Sequence, residues 1–551
     1  MSGGGPARLG EDAVLLPEIR DYDRLRAAFD WNLPARFSIA EAICDRWAID
    51  EPDRVAVLVK RPGEALVPTT YGEIRTASHA LAAGLAARGV VRGDRVGVML
   101  PQGAEAIVAH VAISRLGAIA MPLALAFGPD ALAHRLTDSA AKAVVTTAGG
   151  LERLAGMETP APALEIVVSV DGASGDALGY DALLAEGGTA PEVELGPEAP
   201  ALMIYTSGTT GAAKGALHAG RVLIGHLPGF RMTHDFLPRA GDRAWTPADW
   251  AWAGGLLNLA MPALHYGVPV VAQPRAKFDP EAAFALLEEA EIRNAFVPPT
   301  ALRLMAAVAK PRGRFRLELR SVVSAGEALG EAAFRWAQDE LGLTVNEVYG
   351  QTECNYVLAS AAGVGVSRPG FVGRPTPGHE VALFDADGRP CAPGEPGEIC
   401  VRRPDPVMFL GYWNQPEATA AKFRGDWMTT GDQAVMDADG YVRFVGRDDD
   451  VITSSGYRVG PTEIEDCLSR HPAVALAAVV GKPDPTRTQI VKAFVQLREG
   501  VVGDDALVDA IRTFVRDRLS AHEYPREVEF VAELPLTTTG KVIRRLLRER
   551  G

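Results

Sequence analysis

Residues 205–215 of the chain read YTSGTTGAAKG. The glycines loosen the backbone and the hydroxyls compete for its hydrogen bonds, so the stretch is expected to be a loop. Freed backbone N–H groups, several hydroxyls and the ammonium of Lys214 suit a polyphosphate. The order is not that of the usual phosphate loop, because Gly215 and not Ser or Thr follows Lys214. A second stretch, YGQTE, offers a stacking face at Tyr349, a hydroxyl at Thr352 and a carboxylate at Glu353 suited to magnesium. A third, TTGD, ends on Asp432, whose carboxylate can accept both hydroxyls of a ribose. A fourth, PLTTTGKVIRR, sets Lys541 after a glycine turn, with Arg544, Arg545, Arg548 and Arg550 beyond it. Taken singly, each has a plain reading: a surface loop, a strand end, a Gly-Asp turn, a solvated basic tail.

These residues need a scaffold, and the surrounding pattern supplies one. ALMIY, ending at Tyr205, is apolar enough for a buried strand leading into the first loop. DRVGVML, AEAIVAHVAISRLG and AIAMPLAL read as strand, helix and strand with short joints, the pattern of a parallel βαβ unit. NAFVPP and SVVSAG read as strands. EAAFRWAQDELG puts Phe334, Ala337 and Leu341 on one helical face with Gly342 as a stop, and TVNEVYG follows as a strand. From Val381 to Phe444 the texture changes to short strands and turns. Residues 156–200, rich in Ala, Gly, Pro and Glu, read as surface excursions. Beyond GRDDD (residues 446–450), two amphipathic helices and two strands form a unit of domain size. The expected fold is therefore α/β: a large N-terminal domain of mixed and parallel sheets with flanking helices, over residues 1–446, joined by a hinge to a small α+β domain over residues 447–551.

Bulk properties narrow the class. With 551 residues and 47% apolar content, the chain can bury large cores. A formal net charge of −14 argues against general binding to nucleic acid or anionic membranes, without excluding a small local anion site. The five cysteines, Cys44, Cys354, Cys391, Cys400 and Cys467, show no zinc-ligand spacing and read as reduced thiols. The N-terminus shows no signal-peptide pattern, and the apolar run at residues 107–127 is broken by His110, Arg115 and Pro122, so no integral membrane segment is expected. A cytoplasmic protein is expected.

The order and separation of the four motifs resemble those of the AMP-forming adenylating superfamily, which includes acyl- and aryl-CoA synthetases, luciferases and the adenylation domains of peptide synthetases. The resemblance runs from TYGEI (residues 70–74) to Lys541. It implies ATP, Mg²⁺ and coenzyme A as partners of a carboxylic acid. It places Thr206, Ser207, Gly208, Thr209, Thr210, Gly211 and Lys214 around the β- and γ-phosphates, and Gly326, Glu327 and Ala328 at the adenine, with Tyr349 stacked on the base beside Gly350 and Gln351. Thr352 would contact the α-phosphate, Glu353 would bind Mg²⁺, and Asp432 would hold the ribose, with Arg447 beside it. Asp449 matches the hinge, Gly456 and Arg458 the thioester-stage loop, and Lys541 the lysine that bridges acid and α-phosphate. Thr206, Lys214, Glu353 and Lys541 are thus the expected catalytic set. Two departures stand out: Ala213 occupies the place of a common proline, and Leu536 that of a common lysine.

The residue types fit the implied reaction. A carboxylate attacking the α-phosphorus of ATP meets like charge, about 4 kcal/mol for unit charges roughly 4 Å apart at an effective dielectric near 20. Mg²⁺, Lys541 and the loop N–H groups would offset this and stabilise the departing pyrophosphate. The acyl-adenylate would then acylate a thiol after the small domain rotates.

Ten residues follow Lys541, too few for a fused carrier domain, so a free thiol acceptor, coenzyme A, is expected. Gly350 stands where acetyl-CoA synthetases carry a pocket-closing tryptophan, so acetate is not expected as the main substrate. The stretch TPADWAWAGGLLN resembles medium-chain acyl-CoA synthetases, with Trp252 beside the acyl group or pantetheine channel and Trp250 divided between that role and core packing. A short- to medium-chain or branched acid comes first and a benzoate-like aryl acid second. A stand-alone enzyme loading a separate carrier through Arg544, Arg545 and Arg548, and a non-catalytic nucleotide binder, are the other classes.

Overall fold

The computed structural model describes residues 16–206, 213–274, 277–447, 450, 452–454, 457–484, 488–519, 524–537 and 541–550, with residues 453, 454, 457, 458, 463 and 488 described by backbone alone. Among the described residues, four sheets carry the fold. The first expected βαβ unit is present: the strand Arg95–Met99, the helix Ala104–Arg115 and the strand Ile119–Pro122, the two strands parallel. Every residue from Ala106 to Ser114 of that helix is buried, so its uniform apolarity reflects burial on all sides. These strands lie in an eight-stranded sheet that also holds Pro200–Thr206 and Lys214–Ala219, the antiparallel pair flanking the hydroxyl-rich stretch. The region between residues 156 and 200 is not merely surface. It adds the strands Ile166–Ser169 and Leu178–Gly179 to this sheet, with Val168, Tyr180 and Leu183 in the core. Its Ala-, Gly- and Pro-rich composition hid these strands and the short helix Tyr180–Ala185, all too short to show a period.

A nine-stranded sheet packs alongside. Its strands Asn294–Phe296, Ser321–Ala325 and Val345–Gln351 are parallel neighbours, and Cys354–Ala359 then turns back antiparallel. The motif YGQTE thus begins within a strand: Tyr349, Gly350 and Gln351 are its last three residues, and Thr352 and Glu353 make the turn. The helix Glu331–Trp336 continues as a π-helical turn, Ala337–Leu341, and stops at Gly342 with φ +70°. At residues 70–73, Thr70 and Glu73 form a reciprocal capping box that starts the helix Tyr71–Ala87. A five-stranded antiparallel sheet, including Pro396–Arg402, Trp427–Met436 and Val442–Arg447, carries Asp432.

The C-terminal unit pairs Val474–Asp484 with Thr488–Leu497 and covers them with the helices Pro461–Ser469 and Asp505–Arg516. Its core joins Ile464, Leu468, Val479, Val495, Ile511 and Val515. No helix among the described residues is long and apolar enough to cross a membrane.

Candidate active site

The end of the strand Val345–Gln351 meets Asp432 directly. Tyr349 Oη donates to Asp432 Oδ2 at 2.6 Å, and Gln351 Nε2 donates to the same oxygen at 2.6 Å and to the Thr430 carbonyl at 2.8 Å. Arg447 stands opposite Asp432 in the paired strand. Burial raises the Asp432 carboxyl above its ordinary value, and Tyr349, Arg447 and Gln351 oppose that rise. One carboxylate oxygen is therefore held by two donors and oriented.

Glu353 is buried, and its Oε1 accepts the phenol proton of Tyr412 at 2.5 Å. Lys214 Nζ lies 5.1 Å from the centroid of the same Tyr412 ring. Among the described residues, no group of three or more His, Cys, Asp and Glu side chains could hold a metal. A single carboxylate suits an ion that keeps its waters and takes phosphate oxygens, as magnesium does. Nothing in the sequence marks Tyr412 as a site residue. It lies in the unassuming run GYWN, and only strand pairing brings it against Glu353.

Lys541 reaches this region from the C-terminal unit. A Cβ placed on Gly326, whose φ is +99°, would lie 3.7 Å from Lys541 Cε and 4.0 Å from its Nζ. The side chain keeps contact with solvent, yet surrounding protein lowers its ammonium below the ordinary lysine value, while Glu327 and Asp432 pull the other way. Glu327 is itself held by Arg303 Nη2 at 2.6 Å and Thr300 Oγ1 at 3.0 Å. Gly326, Glu327, Tyr349, Asp432 and Lys541 thus converge from distant parts of the sequence. Thr206 ends its strand and Lys214 begins the next, with the two residues paired. Ser207, Gly208, Thr209, Thr210, Gly211, Asp449 and Gly456 lie outside the described residues, as does the Arg458 side chain.

Two expectations need correction. Gly350 does not open a space in its side-chain direction: a Cβ there would lie 2.5 Å from both Asn355 Cα and Tyr356 N. The register shift between Tyr349 and Gln351 brings the neighbouring strand's backbone against it. The arginines after Lys541 are not a free basic patch. Arg544 pairs with Glu465 at 2.7 Å and with Asp450 at 3.4 Å, Arg548 pairs with Asp450, and Arg545 pairs with Glu549.

Trp250 is buried, whereas Trp252 is half-buried with its ring edge-on to Phe127 at 5.7 Å. Asn258 and Asn355 join at 2.6 Å behind Gly350.

The family model described as AMP-binding enzyme matches residues 44–413, and its C-terminal domain model matches residues 463–541. The chain belongs to the AMP-binding enzyme family. Within that family it is an AMP-forming acid–CoA ligase by its relatives. It is 34% identical to an acetyl-coenzyme A synthetase of Bacillus subtilis over 96% of this chain and 95% of that one. It is 32% identical to the human mitochondrial acyl-coenzyme A synthetase ACSM2B, over 94% of this chain and 92% of that one. Among solved structures it resembles the anthranilate CoA ligase AuaEII in complex with anthranoyl-AMP (TM-score 0.87, 28% identity, 94% and 98% of the two chains).

Proposed function

We propose that this AMP-binding enzyme activates a short- to medium-chain or branched aliphatic acid, in a cleft between residues 1–446 and a mobile unit over residues 447–551. The observation that carries the reading is Lys541 lying beside Gly326 and within electrostatic reach of Glu327 and Asp432. In this arrangement the ammonium stands where an acid carboxylate and the α-phosphate of ATP would meet. It would draw the two anions together and hold charge on the pentavalent phosphorus. Asp432, oriented by Tyr349 and Gln351, would take the ribose hydroxyls. Gly326, Glu327 and Ala328 would border the adenine, with Tyr349 at the base. Lys214, with the loop from Thr206, would hold the outer phosphates. Glu353 would hold Mg²⁺, which when bound neutralises phosphate charge. In the second stage a thiolate of coenzyme A attacks the acyl carbonyl and AMP leaves. Gly456 and Arg458 are assigned to that stage, and Asp449 to the hinge.

The choice of acid rests on Trp252. An indole edge-on to Phe127 and half-buried gives an apolar wall with one open side, and such walls distinguish close homologues by only about 1–3 kcal/mol per methylene. A benzoate-like acid is the second reading, favoured by the likeness to the anthranilate ligase structure. The acetyl-coenzyme A synthetase relative makes acetate a necessary control. Coenzyme A is the preferred acceptor over a carrier protein, since the arginines that would dock a carrier are engaged in ion pairs. Cysteines that are all unpaired support a cytoplasmic location.

The test is acid-dependent release of AMP and pyrophosphate from ATP, with and without coenzyme A, across C2 to C10 aliphatic acids and several benzoates. A maximum among aliphatic acids longer than acetate, seen only with coenzyme A, is expected. A maximum at benzoate, or discharge only by a carrier protein, would replace the reading.

A further inference from the structure

Tyr412 belongs to a short segment fastened on two sides. Gly411 and Tyr412 pair with Leu217 and Ala216 of the strand that begins at Lys214. Trp413 N donates to the Gly215 carbonyl at 2.7 Å, and Leu410 N to the Leu217 carbonyl at 2.7 Å. On the other side, Phe409 N donates to the Glu353 carbonyl at 2.8 Å. The segment therefore fixes both the backbone of Glu353 and the start of the Lys214 strand. Tyr412 N donates in turn to Thr419 Oγ1 at 2.8 Å.

The side chain then meets two opposite charges. Its hydroxyl donates to Glu353 Oε1 at 2.5 Å, and its ring faces Lys214 Nζ at 5.1 Å. An ionised carboxylate accepts only, so a buried one needs donors. A lysine or arginine donor would satisfy it but would also cancel the charge that a metal needs. A phenol satisfies it and leaves the charge in place. The ring's negative face gives the Lys214 cation somewhere to rest other than Glu353.

We propose that Tyr412 is a positioning residue for the metal–phosphate end of the site: its hydroxyl aims Glu353 at the divalent cation, and its ring keeps Lys214 from pairing with that carboxylate. This rests on the reading of Glu353 as the metal-holding carboxylate. The role explains why residues 409–413, remote in sequence from both charged residues, are fastened by main-chain hydrogen bonds to Glu353 and to the strand that begins at Lys214.

The test is equilibrium ATP binding by calorimetry, without acid so that nothing turns over, in magnesium and in EDTA. The proteins are the full-length chain, Tyr412→Phe, Glu353→Gln and the double variant. Tyr412→Phe should lose about tenfold or more of the affinity gained from magnesium, the usual effect of removing a hydrogen-bond partner of a metal ligand. Its metal-free ATP binding should be unchanged, which also shows that the variant is folded. Added to Glu353→Gln, it should change nothing. Tyr412→Leu should in addition weaken metal-free ATP binding, because Lys214 can then close on Glu353. Retention of the magnesium gain by Tyr412→Phe, equal weakening with and without metal, or additivity with Glu353→Gln would overturn the proposal. If Glu353→Gln itself keeps the magnesium gain, the metal reading of Glu353 falls, and the role of Tyr412 with it. If Glu353→Gln loses the gain while Tyr412→Phe keeps it, only the role of Tyr412 falls.

Discussion

Asp466 Oδ1, on the helix Pro461–Ser469, accepts the backbone N–H of Glu331 at 3.1 Å, at the start of the helix Glu331–Trp336. Arg470, which caps the end of that first helix, reaches Glu331 at 3.7 Å. The C-terminal unit is thus held against the larger one by a carboxylate that satisfies a free helix N–H. A charge-assisted bond of this kind is worth about 1–3 kcal/mol. Asp466→Ala is expected to slow acid-dependent ATP–pyrophosphate exchange roughly tenfold, since each 1.4 kcal/mol is a factor of ten. Discharge of a supplied acyl-adenylate by coenzyme A should stay near the parent rate. Equal losses in both assays would show that the contact does not favour one orientation.

Lys541 makes its approach to the site from the C-terminal unit, so its removal should also separate the two half-reactions. Lys541→Ala should cut adenylate formation by about a hundredfold or more, the scale of losing one charge-stabilising donor. Thioester formation from a supplied adenylate should persist. Assaying each half-reaction alone distinguishes this from general damage, which would lower both.

Asp432 should decide the enzyme's preference for ribose hydroxyls. The Asp432→Ala variant is expected to weaken ATP and to bind ATP and 2′-deoxy-ATP with similar affinity, while the parent discriminates. Competition binding of the two nucleotides measures this. A variant that keeps the discrimination would place the ribose elsewhere.

Glu347 gives a pH signature of the fold. It is buried, accepts from Leu329 N at 3.2 Å, and its carboxyl is pushed up to about 7 by burial, from an ordinary value of 4.5. The folded state therefore holds a proton that the unfolded chain gives up, and stability falls as pH rises from about 4.5 to 7 and is level above. The loss is of order 3 kcal/mol, from about 2.5 pH units at 1.36 kcal/mol each. Glu347→Gln should flatten this dependence, melting higher than the parent at pH 8 and close to it at pH 5. Thermal melts across pH 4.5–8 check it; an unchanged slope would mean that another group is responsible.

Gly350 should tolerate no side chain. With backbone atoms 2.5 Å from a Cβ position, Gly350→Ala is expected to cost about 1–3 kcal/mol of stability, and Gly350→Trp to yield little folded protein and not a shift towards acetate. Denaturant unfolding of the alanine variant measures it. A folded tryptophan variant with altered acid preference would restore the pocket role.

The sequence alone was enough for the architecture of the regular parts. Residues 95–122 carry a strand, a long apolar helix and a strand whose composition and joints admit little else. The helix Asp505–Arg516 shows its buried face in the spacing of Ile511 and Val515. The candidate site was legible where chemistry demands particular residue types, as at Lys214, Glu353, Asp432 and Lys541. Local pattern did not reach what depends on distant partners. Tyr412 lies 59 residues from the carboxylate it holds, and nothing within GYWN signals that contact. The arginines beyond Lys541 look solvated until Asp450 and Glu465 are folded against them. Gly350 looks like open space until the neighbouring strand is placed beside it. Residue type is a property of one position and is written in the sequence. Proximity is a property of pairs, fixed by sheet register and by the seating of the C-terminal unit, and therefore decided only by the tertiary structure.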